Sequence, residues 1–555
     1  MSQTPSRAID DAYNEKKVTP NAEDSDVRSI EVVENVDHLK RHLSNRQIQM
    51  IAIGGAIGTA LFVSISSGLT QGGPGSLLLA YAIFSGIMAM VNNSMTEMAV
   101  FMPISGSFIR FAGKWVDEAF GFMAGWNFFL YEAAMIPFEI SALNLVLTFW
   151  RDDIPAWAVC IVCAILYSII NLFAVKYYGE AEFWLSGGKL FLIALVFSFT
   201  FVTMVGGNPQ HDPYGFRYWR DPGSFAEYIT TADLGRFEGF LGALWSAAFT
   251  ICGPEYLAMV AGETEHPRVI LKRAFKTLYW RFGVFFIGGA LCVGIIIPYN
   301  DPTLISNADA GTANGSPYVI AMNNMGISFL PNLTNALLVS SIFSAGNAYV
   351  YCAMRSLYSL ALEGQAPAVF KKCTKNGIPW TCFLVTVCFS LLSLLSVSNG
   401  SAQAVTWLGD LTQAAQLINY IVMCVTYVFF HRALYVQGID RSTLPYTGWG
   451  QPYCAYIAGV SILVILICYG YVYLLPGYWN IGSFFSCYTM VFLAPLTYTF
   501  WKVFKKTKLV TFAEADLVWD KLTIDAYEEA YEYEKSFPSP RDSFWNRISS
   551  KLKMG

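Results

Sequence analysis

Runs of apolar residues about 20 long, the length an α-helix needs to cross the hydrocarbon of a bilayer, recur along almost the whole chain. They fall at about 47–70, 75–102, 120–150, 155–174, 182–206, 237–261, 278–298, 332–361, 380–398, 402–430, 454–475 and 479–501. With 54% hydrophobic and only 14% charged residues over 555 positions, the composition excludes a soluble globular fold. In lipid every backbone polar group must be satisfied within its own segment, so the expected fold class is an all-α membrane protein with twelve transmembrane helices.

Basic residues between the runs set the expected orientation, because Lys and Arg accumulate in cytosolic loops. Arg268, Lys272, Arg273 and Lys276 follow the sixth run, Lys371, Lys372 and Lys375 the eighth, and Lys502, Lys505, Lys506 and Lys508 the twelfth. Loop 299–331 contains neither Lys nor Arg. Both termini are therefore expected in the cytosol, as polar tails at 1–46 and 504–555 flanking a membrane domain at 47–503. Loop 207–236 goes against the rule with Arg217, Arg220 and Arg236, but it is long and also acidic. The 46 polar residues ahead of the first run argue against a cleaved leader. Lys16 and Lys17 offer the N-terminal tail as a target for ubiquitin-ligase machinery, though a plain solvated tail fits equally. In the C-terminal tail, residues 526–535 read as an exposed helix in an otherwise loose segment. The twelve cysteines stand singly without metal spacing and read as small core residues.

Two of the runs are interrupted. Ile53-Gly54-Gly55-Ala56-Ile57-Gly58-Thr59 places three glycines in the middle of the first, weakening the helix and uncovering its backbone. Gly54 and Gly58 also stand in the register of a close helix-packing motif, and that alternative stays open. No strand precedes the glycines, so a dinucleotide fingerprint is excluded. Some two hundred residues later, Phe249-Thr250-Ile251-Cys252-Gly253-Pro254-Glu255 breaks the sixth run with Gly-Pro and a carboxylate. Paired broken helices opening two halves of a chain are the signature of inverted-repeat carriers, whose substrate site lies at the breaks.

Ionisable groups inside membrane spans are costly and mark function by default. Glu97, Glu132, Glu139, Lys189, Glu255, Arg355 and Asp410 make up that set. Glu132 and Glu139 are seven apart and share a helix face. Lys189 follows Gly187-Gly188, which suggests close approach of a neighbouring helix. It is the candidate proton carrier, with Glu139 and Glu255. Structural ion pairing is the rival reading of these groups, and snorkelling or capping the rival for Glu97 and Arg355.

Gly54-Gly55-x-Ile57-Gly58-Thr59-x-Leu61-Phe62, Glu97-Met-Ala before Pro103-x-Ser-Gly-Ser-Phe108, Glu182-Phe183-Trp184 ahead of Lys189, and Phe249-x-x-x-Gly253-x-Glu255 together resemble the fungal amino-acid permeases of the amino acid-polyamine-organocation superfamily. The resemblance spans residues 40–505. The stretch Gly125–Glu139 is most similar to the dicarboxylic permeases, which carry glutamate and aspartate. The family implies a five-plus-five inverted repeat with spans one and six unwound, plus two peripheral helices. It implies that Gly54, Gly55, Ala56, Ile57, Gly58 and Thr59 receive the substrate's α-carboxylate on backbone N–H groups. Carbonyls of Phe249, Thr250, Ile251 and Cys252 would take the α-amino group, with Gly253, Glu255 and Glu139 completing the site. Two departures from the family pattern are Ala60, where a further glycine is usual, and Asn546, where a cysteine is. The expectation is a proton-coupled symporter of the plasma membrane importing amino acids, with acidic ones first. A broad neutral permease, a transporter-like nutrient sensor and an exchanger are the alternatives. The expected partners are substrate, protons and lipid; no enzymatic, cofactor, metal or nucleic-acid motif competes. A Cβ added at Gly55 or Gly58 is expected to hurt recognition more than one at Gly68.

Overall fold

A computed structural model describes residues 41 and 43–536, apart from 56, 152, 174, 309–315, 375–376 and 398–400, and omits the side chains of 173–178, 307–308, 395–397, 401–405 and 533–536. Ala56, the tail lysines Lys16 and Lys17, and Asn546 thus lie outside the described residues. Every regular element described is a helix, and the single extended contact is a bridge between Leu43 and Thr264. In chain order the principal helices are α1 (Asn45–Gly54), α2 (Ile65–Phe101), α3 (Glu118–Leu147), α4 (Ala156–Phe173), α5 (Val175–Met204), α6 (Ala232–Thr250), α7 (Pro254–Val260) and α8 (Pro267–Arg281). They continue as α9 (Gly288–Ile296), α10 (Phe329–Leu362), α11 (Trp380–Phe389), α12 (Ser401–Val436), α13 (Tyr453–Cys468), α14 (Ile481–Lys505) and α15 (Lys521–Ser536).

Among the described residues, seven helical stretches are long and apolar enough to cross a membrane, and three shorter apolar helices accompany them. Expected spans one and six are not among the continuous helices, because both are broken where the sequence places glycine. α1 ends at Gly54, and helix resumes through a π-helical turn at Ala60–Ser64 that runs into α2. Gly73, at φ +75°, and Pro74 then put a sharp turn inside this run, at the junction expected between spans one and two. A Cβ at Gly73 would stand 2.8 Å from the Ala226 nitrogen, so the segment before α6 also packs there. α6 stops at Thr250 and α7 starts at Pro254, the link made by Gly253 at φ +153°. Helix begins earlier than hydropathy alone places it in spans five and seven, at Val175 and Pro267.

α2 packs along α6, and α3 along α10 and α12. Outer helices show their apolar residues instead: Trp157, Ile161 and Ile165 on α4, Val460 and Ile467 on α13, and Phe492 and Leu496 on α14 are all exposed. Such a belt is stable only against lipid.

Glu97 and Arg355 do not snorkel. Both are buried and paired, Glu97 with Arg441 through two hydrogen bonds of 2.7 and 2.6 Å, and Arg355 with Glu263 at 2.9 Å. Nor does the C-terminal segment hang loose. Val510 donates to the Val116 carbonyl and Trp115 to that of Asp516, while Gln437 donates to Phe512 and Ala515. α15 closes on the loop before α8: Arg268 meets Asp525 at 2.5 Å, His266 pairs with Glu528, and the His266 ring stacks on Tyr531.

Removing one member of a buried ion pair leaves the other uncompensated, at a cost of about 3–5 kcal/mol. Arg355→Met is therefore expected to lower the melting temperature of the purified protein sharply, and adding Glu263→Met should recover a good part of the loss. A single variant that melts like the parent would show that the pair does not hold this end of the bundle together.

Candidate functional site

A helix that stops inside the bilayer leaves carbonyls at its C-terminal end with neither a helical partner nor water. Past the end of α1 that demand is met chiefly by one side chain. The Lys189 ammonium, fully buried on α5, donates to the carbonyls of Gly54 at 2.5 Å and Ile57 at 2.6 Å. A cation at a helix C-terminus is favoured by the macrodipole, and a charged hydrogen bond contributes about 1.5–3 kcal/mol. Tyr349 adds a donor to the Gly55 carbonyl at 3.4 Å, and Ser341 one to Ile57 at 3.5 Å. The expected close helix approach at Gly187-Gly188 is not found: a Cβ at Gly187 would meet nothing within 4 Å, and one at Gly188 only the Ser340 hydroxyl at 3.7 Å. What Lys189 needs from its surroundings is the uncovered carbonyls.

The far side of the break carries a carboxyl group. Glu139 accepts from the Thr59 hydroxyl at 2.5 Å and more distantly, at 3.5 Å, from its backbone N–H, just where helix resumes. A carboxylate at a helix N-terminus matches the dipole as the ammonium does at the C-terminus. Glu182, buried on α5, accepts from Ser344 at 2.6 Å and Ser186 at 3.0 Å. The glycines face these groups. A Cβ at Gly54 would lie 1.9 Å from the Glu182 carboxylate, one at Gly55 2.7 Å from the Tyr256 ring, and one at Gly58 2.6 Å from Glu139 and 3.0 Å from Ala345. The glycine run therefore uncovers the backbone as expected, while Gly54 and Gly58 share no helix-packing face because helix ends at Gly54; the missing side chains instead admit carboxylates and a tyrosine to the main chain.

At the second break, Glu255 folds back to accept from the Gly253 N–H at 3.1 Å and from Tyr420 at 2.8 Å, which Gln416 holds in turn. Cys252 reaches toward the first break, its sulfur 4.0 Å from the Gly55 carbonyl. It lies within electrostatic reach of Glu255, Glu132, Lys189 and Glu139. Thr250 is tied elsewhere, accepting from Tyr81 at 3.0 Å and donating to Ser246, and Ile251 is buried with its N–H bonded to Ala247. Phe249 meets Phe138 edge-on at 5.5 Å. Glu132 is fully buried, and among the described residues neither of its carboxyl oxygens has a hydrogen-bond partner. One ammonium balances one carboxylate, so any further ionised carboxyl group here calls for a bound cation or proton.

The structure thus gathers Gly54, Gly55, Ile57, Gly58, Thr59, Glu139, Lys189, Cys252, Gly253 and Glu255, while the side chains of Phe249 and Thr250 turn to Phe138, Tyr81 and Ser246; the part expected of Phe249, Thr250 and Ile251 lies in their carbonyls. The structure adds Glu182, Tyr256, Tyr349 and Tyr420. Glu182 was legible in principle, being seven residues before Lys189 and so on the same helix face. The tyrosines carry no sequence signal that separates them from the other aromatic residues.

Two broken helices joined by buried charges across their unwound segments match what residues 47–514 show by comparison, where the family model described as amino acid permease fits. The chain belongs to the amino acid permease family. It is 46% identical over 463 residues to the general amino acid permease AGP2 of Saccharomyces cerevisiae, covering 82% of this chain and 77% of that one. Identity is 36% to a proline-specific permease of Emericella nidulans, over 88% of this chain and 89% of the relative. The dicarboxylic amino acid permease of Saccharomyces cerevisiae is 32% identical over 92% and 85%. As the family is one of permeases, the chain is a transporter and not an enzyme.

Bulk at the first break should be felt directly. Gly58→Val is expected to reach the membrane yet raise the apparent KM for amino-acid uptake by about tenfold or more, equivalent to some 1.4 kcal/mol. Gly68 is no control, since a Cβ there would lie 2.7 Å from Ser246; Gly86, with nothing within 4 Å, is the proper one. Equal KM values for Gly58→Val and Gly86→Val would put recognition elsewhere.

Proposed function

We propose that this permease is a proton-coupled symporter that imports amino acids across the plasma membrane. The observation that carries the reading is Lys189, a single titratable cation bridging two carbonyls of a broken helix. Charged, it holds the break in one arrangement; neutral, it loses the attraction, which makes a two-state element biased by a proton. Transport by this route needs no sodium. We read the chain as twelve spans in a five-plus-five inverted repeat with two peripheral helices. Residues 47–503 would form the transporter domain, and both tails would be cytosolic. The pairing of α2 with α6 and of α3 with α10 supports that reading. So do the local partners of two basic residues in loop 207–236, Arg217 with Asp212 and Arg236 with Asp233.

The α-carboxylate of the substrate would bind at the first break. The N–H groups of Gly55 and Ile57 are engaged by Ile51 and Ile53, and that of Thr59 reaches Glu139 at 3.5 Å, which shifts that role toward Gly58. For the side chain, the carboxyl-rich interior weighs against glutamate and aspartate as preferred substrates, because Glu132, Glu139 and Glu255 would all repel a further carboxylate unless protonated. A broad range is the reading supported best, helped by greater identity to the general permease than to the dicarboxylic one. Competition of uptake by unlabelled amino acids tests it. Neutral amino acids should compete well, and inhibition confined to glutamate and aspartate would restore the acidic reading.

Lys189→Met keeps the apolar stem and removes the titratable group. The variant should reach the plasma membrane but lose accumulation driven by an external acid pulse. Persistent proton-driven uptake would move coupling to Glu139, Glu132 or Glu255. Independently, Glu139→Gln is expected to alter the pH profile or the substrate range at unchanged surface level; a variant unchanged in both would remove Glu139 from the site.

A further inference from the structure

A cavity of about 200 Å³ lies beyond the breaks, at the end of the bundle away from α15. Its walls come from the start of α2, from α6, α12 and α14, and from the segments before α6 and after α13. The lining mixes aromatic residues, Tyr228, Trp245, Tyr469 and Tyr473 among them, with polar ones such as Gln71 and Gln413. One carboxylate faces this space, that of Asp410 on α12. Its two oxygens accept from Tyr469 and Ser486, each at 2.9 Å. Neither hydroxyl neutralises a charge, and among the described residues no Lys, Arg or His forms an ion pair with Asp410. The floor is Phe249, whose ring meets Phe138, the residue next to Glu139.

A half-buried carboxylate without a counter-ion among the described residues, in a cavity that Trp245, Tyr469 and Tyr473 also line, is matched by an organic ammonium group, which gains from the charge and from contact with aromatic rings. A bare metal ion would ask for several oxygen ligands, and no group of three acidic, His or Cys side chains capable of that exists among the described residues. We propose that this cavity is an outer binding subsite for an organic ammonium group, with Asp410 as counter-ion and Trp245, Tyr469 and Tyr473 as walls. The inference rests on the transport reading in one respect: the amino acid approaches from this face, so that its ammonium group docks at Asp410 before Phe249 lets it through to the break. A free amine that is never carried would be recognised by the same chemistry.

Calorimetric titration of the purified full chain in lipid nanodiscs separates these cases, with tetramethylammonium chloride as the probe and sodium chloride as the control. Wild-type protein should bind tetramethylammonium and not sodium. Asp410→Asn should weaken binding about tenfold or more, Asp410→Glu should largely restore it, and Gly58→Val should leave it unchanged. Because Asp410 also ties three segments together, Tyr473→Ala provides a second arm. That residue lines the cavity without accepting from or donating to Asp410, and its loss should weaken binding several-fold. Prior addition of alanine should compete with the probe if the ammonium of an amino acid uses the subsite, and a lack of competition would confine it to free amines. The inference is overturned if the wild type does not bind the probe, if sodium binds equally well, if Asp410→Asn and Tyr473→Ala both bind like the wild type, or if Gly58→Val alone abolishes binding. Uptake measured separately keeps the two readings apart. A chain that accumulates no amino acid yet binds the probe through Asp410 loses the function and keeps the subsite.

Discussion

Two short hydrogen bonds from the Lys189 ammonium to the carbonyls of Gly54 and Ile57 make the broken first helix possible. In water, unwound backbone is solvated at little cost. Inside a bilayer each unsatisfied carbonyl costs several kcal/mol, so a glycine run that merely weakened the helix would be a defect. The ammonium turns the defect into a stable feature, and it is itself tolerated in the interior because two carbonyls, with Glu182 and Glu139 in reach, take the place of its water. Each half of this arrangement lowers the cost of burying the other.

The remaining polar geometry follows the same rule at the other helix ends. Glu139 meets the N-terminal end at Thr59, and Glu255 meets that of α7 through the Gly253 N–H. Each break therefore carries charge of the sign its nearest helix end favours. Glu132 is the exception, buried on α3 with no hydrogen-bond partner among the described residues; with Glu139, Glu182 and Glu255 it makes four carboxyl groups around one ammonium, which gives the interior a standing demand for a proton or a cation.

The two ends of the bundle are built differently. At one, the C-terminal segment and α15 strap together Val116, Gln437 and Arg268, tying that end through hydrogen bonds and ion pairs. At the other, a polar and aromatic cavity opens above Phe249. Phe249 stands between this cavity and the breaks, whose groups are buried, so a carrier built this way must visit at least one further state.

Much of this was legible in the sequence. Apolar run length determined that the chain is helical and belongs in lipid, because hydrogen-bond satisfaction in hydrocarbon admits few alternatives. Gly54 to Gly58 and Gly253-Pro254 marked both breaks, since glycine and proline act on the backbone locally. The seven-residue spacing of Glu132 and Glu139 placed two carboxyl groups on one face. Partner choice was not legible. That Lys189 reaches Gly54, that Glu182 abuts the same glycine, that Glu97 pairs with Arg441, and that the segment after Lys505 docks instead of trailing are contacts between residues up to several hundred positions apart. Only the tertiary packing decides them, because a buried charge takes whichever complementary group the packed helices bring within about 3 Å of it.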